Sequence, residues 1–144
     1  PSGDYLCFDY GTVRIGVAVG NALLGTARPL DVVANNSGTP NWALIDRAVE
    51  QWRPVALVVG IPLNLDGEPE EITQHARGFI RRLKKRYTVP VFGADERFSS
   101  MDAQKELQKM RARGQRGKTQ HADVDTLAAA LILERWFASY GEDL

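Results

Sequence analysis

The chain has 144 residues, 44% of them hydrophobic and 25% charged, and its 18 Lys and Arg balance 18 Asp and Glu to a net charge of zero. That length suits one domain burying roughly two-thirds of its unfolded surface, and no stretch approaches the roughly 20 apolar residues of a membrane span, so a soluble protein without a membrane partner is expected. The opening Pro1-Ser2-Gly3-Asp4-Tyr5-Leu6 lacks the basic-then-apolar pattern of a secretory signal, and the single cysteine, Cys7, permits no intrachain disulfide; both point to a reducing cytoplasm.

Residues 4–9 and 13–19 are short runs rich in Val, Ile, Tyr and Phe, split by Tyr10-Gly11-Thr12, which predicts a β-hairpin with Cys7 as a buried structural thiol. Residues 23–33 contain Gly25 and Pro29 and predict a third strand at an edge or with a bulge. Thr39 before Pro40 reads as an N-cap followed by a first helical proline, and Trp42, Ile45, Ala48, Val49 and Trp52 recur at helical spacing, giving a helix over about 40–52. The unbroken apolar run 55–60 predicts a parallel strand in the sheet centre, covered on both faces. A loop at 60–67 leads to a helix over about 69–87, with Ile72, Ala76, Phe79, Ile80 and Leu83 inward and its Arg and Lys outward. Residues 89–93 predict another strand, running into Ala94-Asp95-Glu96-Arg97. Ser99 and Asp102 match a capping box that opens a helix to about residue 111. Residues 111–120, with two glycines and four basic residues, predict a mobile loop, and 122–140 a final helix. A strand meander followed by strand–helix alternation implies one α/β domain over 1–144, a mixed sheet with helices on both faces.

The neutral total hides an uneven distribution. Residues 77–118 hold 13 of the 18 Lys and Arg against four acids, a net +9 that can contact nucleic-acid phosphates or form a solvated face. Three acids occupy suggestive places: Asp9 at the end of the first strand, Glu96 just past a later one, and Asp125 in the first turn of the last helix. Carboxylates set against a core are costly to desolvate unless paired or bound to a cation. Hard oxygen ligands converging from separate elements suit Mg²⁺ or Mn²⁺, and such ions clamp the attacking and leaving oxygens of a phosphoryl displacement. Each acid also has a structural reading. Asp9 can bond the hairpin turn, Glu96 can pair with Arg97, and Asp125 or Asp123 can offset the helix dipole, the last being preferred for Asp123. His75 is expected at the surface, and His121 lacks a partner at zinc-ligand spacing.

Four segments, Phe8-Asp9-Tyr10-Gly11-Thr12-Val13-Arg14-Ile15-Gly16-Val17-Ala18, Val59-Gly60-Ile61-Pro62-Leu63-Asn64-Leu65-Asp66-Gly67, Asp95-Glu96-Arg97-Phe98-Ser99 and Val124-Asp125-Thr126-Leu127-Ala128, resemble in order the signature blocks of the YqgF/RuvX family of bacterial RNase H-like nucleases. The resemblance covers nearly the whole chain. It implies an RNase H-like fold, a catalytic and metal-binding carboxylate trio of Asp9, Glu96 and Asp125, and dependence on Mg²⁺ or Mn²⁺. It also implies a role in maturing the 5′ end of 16S ribosomal RNA from its precursor, beside an older reading as a Holliday-junction resolvase. Whether Asp123 or Asp125 reaches the metal stays open.

Neighbouring residues are candidates for nucleic-acid contact. Thr12 and Arg14 flank the expected metal site, and Gly11 and Gly16 allow a tight turn and a close approach beside it. The forked guanidinium of Arg97 suits orienting Glu96 or binding the scissile phosphate. Asn64 and Asp66 follow a central strand, where α/β proteins place ligands, and Arg116 and Lys118 lie in the basic loop. Asp9-Tyr10-Gly11-Thr12 also resembles the phosphate-binding hairpin of sugar kinases and actin-like ATPases, but those close two such domains around a nucleotide and 144 residues supply one. A non-catalytic RNA-binding or transcription-associated factor is the remaining alternative, which the acid trio disfavours. The expected substrate is precursor rRNA or branched DNA, and the expected state a monomer or homodimer, a symmetric junction being suited to a dimer.

Overall fold

The computed structural model of the chain describes residues 3–36, 38–62, 71–96 and 121–140, with 62, 95, 96, 121–125 and 140 described by backbone alone. In chain order the elements are β1 (Asp4–Tyr10), β2 (Arg14–Asn21), β3 (Thr26–Asn36), β4 (Thr39–Pro40), α1 (Trp42–Trp52), β5 (Ala56–Pro62), α2 (Glu71–Arg86), β6 (Val91–Glu96) and α3 (His121–Tyr140). The strands form a sheet in the order β4-β3-β2-β1-β5-β6. β1 to β4 are an antiparallel meander, while β5 and β6 run parallel to β1. The expected helix near residues 99–111 and loop at 111–120 lie outside the described residues.

Strand alternation sorts the core onto two faces. Leu6, Phe8 and Tyr10 of β1, with Ile15, Val17, Leu57 and Val59, meet Ile45 of α1 and Ala76, Phe79 and Leu83 of α2. Phe79 is the hub of this layer, with ring centroids 5.6 Å from Phe8, 5.2 Å from Tyr10 and 5.8 Å from Trp42. On the other face Tyr5, Cys7, Ala56, Val58 and Ala94 meet Ile132, Leu133, Trp136 and Phe137 of α3. Ala18 packs there against Ala129 and Ala130. Helices on both faces, and the full burial of Cys7, agree with the sequence reading.

Three features differ from it, and a fourth, the irregularity of β3, is located. β3 opposes Val17 with Asp31 but Ala18 with Pro29, so Leu30 is the extra residue of a bulge, which locates the irregularity that Pro29 announced. Thr39 and Pro40 are not a helix start: they pair with Asn36 and Asn35 as β4, and α1 begins at Trp42 behind Asn41, whose side chain makes no capping bond. The ring-fixed φ of proline fits an edge strand as well as a first helical turn, and the carbonyl of Ala34, taken by the Asn41 N–H at 3.0 Å, favours the strand. β5 lies between β1 and β6, one strand in from the sheet edge rather than at its centre. β6 runs through Glu96, which is its last residue and not a loop residue beyond it.

The end of α2 is fastened to α1. The Arg86 guanidinium grips both carboxylate oxygens of Asp46, at 2.8 and 2.6 Å, and lies 4.8 Å over the Trp42 ring. The Tyr87 hydroxyl donates to the same carboxylate. Hydrogen bonds from Arg86 and then Tyr87 hold the Asp46 carboxyl down to about 2.

Candidate carboxylate site at the sheet edge

Asp9 is the penultimate residue of β1 and stands in register with Gly16 on β2 and Gly60 on β5. It alternates with Tyr5 and Cys7, so it is on the face that α3 covers, and it is half-buried there. On β6 the same alternation links Phe92, Ala94 and position 96. Phe92 meets Trp136 of α3 at 5.2 Å and Ala94 belongs to the α3-side core, so position 96 is also on this face. Gly60 pairs with Ala94 and Pro62 with Glu96. Position 96 is therefore two strands from Asp9, roughly 10 Å across the sheet at about 4.8 Å per strand, and two residues nearer the edge.

The path of α3 brings Asp125 to the same end. Leu133 lies against Gly20, and one turn earlier Ala129 and Ala130 lie against Ala18. A helical turn rises about 5.4 Å and two strand residues about 6.7 Å, so one further turn back residue 125 comes level with Gly16, the register partner of Asp9. Residue 125 also precedes Ala128, Ala129 and Ile132 by three, four and seven positions, the spacing of one buried stripe. Asp123, two residues earlier, is roughly 200° round the helix from it, on the flank with Leu127 and Leu131. Gly60 lets the helix close: an ideal Cβ there would stand 2.7 Å from Ile132 Cδ1. Among residues with described side chains no three carboxylate, imidazole or thiol groups cluster, so the candidate set is Asp9 with the backbone positions 96 and 125.

A family model described as RuvX, Holliday junction resolvase, matches residues 3–139. The chain belongs to the RuvX family. It is 47% identical over 133 residues to a protein of Azotobacter vinelandii named "Putative pre-16S rRNA nuclease", covering 92% of each chain. A protein of the same name from Xanthomonas axonopodis pv. citri is 43% identical over 139 residues, covering 96% of this chain and 90% of its own. Among solved structures the fold is similar to Thermus thermophilus RuvC in complex with a Holliday junction substrate, with a TM-score of 0.54, 22% identity and coverage of 95% and 94%. It is similar too to a fowlpox virus resolvase in complex with Holliday junction DNA, at 0.52 and 15%, with 97% of each chain covered. These likenesses establish the RNase H-like architecture.

Within this RuvX fold the other expected residues divide. Arg14 opens β2 two residues before Gly16, on the α3 face and at the same edge as Asp9. Thr12 is exposed in the turn between the two strands. Asn64, Arg97, Arg116 and Lys118 lie outside the described residues. His75 is exposed, 3.7 Å from Glu71, as a surface histidine would be.

One residue that sequence reading passed over is Asn35. It is 2% exposed, and its Nδ2 donates to the Gly11 carbonyl at 2.7 Å while its backbone N–H donates to Val13 at 2.9 Å. Asn35 thus pins the turn that follows Asp9 and carries Thr12. That turn is also tight, since a Cβ at Gly11 would meet the Arg14 carbonyl at 2.5 Å. Two adjacent asparagines, Asn35-Asn36, read from sequence as turn formers; only the pairing of β3 with β2 and β4 shows which of them faces inward.

Proposed function

We propose that this RuvX protein hydrolyses a phosphodiester bond of precursor 16S rRNA near its 5′ end, using Asp9, Glu96 and Asp125 as the carboxylates that hold Mg²⁺ or Mn²⁺. The observation that carries the reading is the shared sheet face of Asp9, level with Gly16 and Gly60, and position 96 on β6, toward whose end the path of α3 past Gly20 and Ala18 leads back to position 125. Family membership and the names of the relatives support a phosphodiester-cleaving enzyme. The donor set fits the ion class, since carboxylate oxygens are the hard ligands that Mg²⁺ and Mn²⁺ prefer. When bound, such an ion polarises a phosphoryl oxygen and favours deprotonation of the attacking water.

The remaining roles fall to the chain itself. Water oxygen attacks phosphorus and one P–O ester bond breaks, so negative charge builds on the phosphoryl group. Arg14, at the same edge and face as Asp9, supplies a fixed positive charge toward it. Thr12 offers a hydroxyl to the backbone beside the cleaved bond, from a turn that Asn35 holds in place. Asn64, Arg97, Arg116 and Lys118 extend the contact to RNA flanking that bond. The setting is cytoplasmic, and the working unit a monomer or homodimer.

A second reading, cleavage of four-way DNA junctions, is favoured by the description of the family model. The discriminating experiment incubates the wild-type protein with Mg²⁺ or Mn²⁺ and two labelled substrates, a precursor-rRNA leader and a four-way DNA junction. Cutting of the leader alone is expected; symmetric cutting of the junction alone would transfer the activity to DNA.

A further inference from the structure

α2 carries six basic residues and, after Glu71, no acid. Two of the six are engaged in holding the fold: Arg82 Nη1 donates to the Gly38 carbonyl at 2.7 Å, and Arg86 grips Asp46. The other four, Arg77, Arg81, Lys84 and Lys85, are exposed and have no hydrogen-bond or ion-pair partner among the described residues. Their spacing of four, seven and eight residues puts them on one ridge about 12 Å long, pointing away from the sheet. Like charges three and four residues apart on a helix repel, and an exposed helix that served only solubility would interleave acids to offset this.

The ridge lies on the sheet face opposite Asp9 but begins at the same end of the sheet. Phe79, two residues past Arg77, meets Tyr10, the residue after Asp9, at 5.2 Å between ring centroids. A polyanion cut at the Asp9 edge would cross that edge to run along α2.

We infer that the outer ridge of α2, formed by Arg77, Arg81, Lys84 and Lys85, is a second RNA-docking surface that holds the sugar-phosphate backbone of the substrate away from the scissile bond. The assignment of RNA rests on the nuclease reading above; the charge complementarity rests on the ridge itself. Contacts of this kind carry no base specificity and act through counterion release.

The test is the salt dependence of binding, read by fluorescence anisotropy of a labelled structured RNA in EDTA, where no metal-dependent cutting occurs. Wild type is compared with R77Q/R81Q/K84Q/K85Q, glutamine being a good helix former, and circular dichroism melting confirms that the variant is folded. A matched control, R47Q/R53Q, removes two exposed charges from α1 and the residue that follows it. Four lost phosphate contacts should reduce the slope of log affinity against log salt by about three units and weaken binding on the order of tenfold at low salt, with little change in the control. An unchanged slope, or an equal loss per charge in the control, would overturn the surface, and a loss confined to a four-way DNA junction would overturn RNA as its occupant. Wild-type protein that binds RNA steeply with salt but never cuts would leave the ridge standing while the nuclease reading falls.

Discussion

Asp9 was legible as a candidate because the run before it in β1, Tyr5 to Phe8, is apolar and an acid at the end of such a run needs a reason. What the sequence could not show is which neighbours share its level. Gly16 and Gly60 flank it in register, and Gly60 is one place where α3 packs tightly, through Ile132. Gly60→Ala therefore places a methyl group against a fully buried side chain that has little room to yield. The variant should lose about 1–3 kcal/mol, seen as a lower urea midpoint, and should cut more slowly because the helix carrying Asp125 is pushed off. A midpoint and rate equal to wild type would show that α3 does not depend on this contact. Glu96 was misplaced by one element boundary, since Gly93 suggests a strand end while the pairing of Ile61 with Asp95 and Pro62 with Glu96 continues past it.

Helix and strand types were readable wherever apolar spacing was regular. α2 shows Ala76, Phe79 and Leu83 buried, as its pattern requires, and Ile72 and Ile80 packed at the margin. Local propensity failed at Thr39-Pro40, where a helix-start signature was overridden by pairing with Asn35 and Asn36. The fastening of α2 to α1 was also invisible, because Asp46 and Arg86 are 40 residues apart. Its consequence depends on pH. Asp46 is held at about 2 against an ordinary 3.8, so its ion pair stabilises the fold fully above the ordinary value and loses that contribution as pH falls toward 2. Both side chains are 42% exposed, so water screens the pair and the effect is modest. Asp46→Asn should melt slightly below wild type at pH 7, and the gap should close between about pH 4 and 2. A gap that stayed constant over that range would mean that the carboxylate charge contributes nothing.

The mixed sheet with helices on both faces was expected from the order of the segments, a meander followed by strand–helix alternation, and it stands in the fold with β1 at the seam. That seam sets the strand positions on which the proposed site rests. β1 pairs antiparallel with β2, which returns Gly16 and Arg14 beside Asp9, and parallel with β5, which lets β6 finish at the same edge. α3 then descends the covered face from Phe137 back to Asp125. The acids sit 87 and 29 residues apart in sequence, so a common site for the three would follow from topology, which spacing alone does not reveal. The charge asymmetry acquires a location in the same way. A chain of zero net charge presents a basic ridge on α2 that has no ion-pair partner among the described residues, and binding to RNA should weaken steeply with salt despite the neutral total.

The carboxylate site is tested by comparing wild type with Asp9→Asn on a labelled precursor-rRNA leader, with and without Mg²⁺ or Mn²⁺, alongside thermal melting of both proteins. Asparagine keeps the volume of the side chain and removes its charge, so the variant should fold and bind RNA while cleavage falls to background. Metal-dependent cleavage persisting in a folded Asp9→Asn protein would contradict the account.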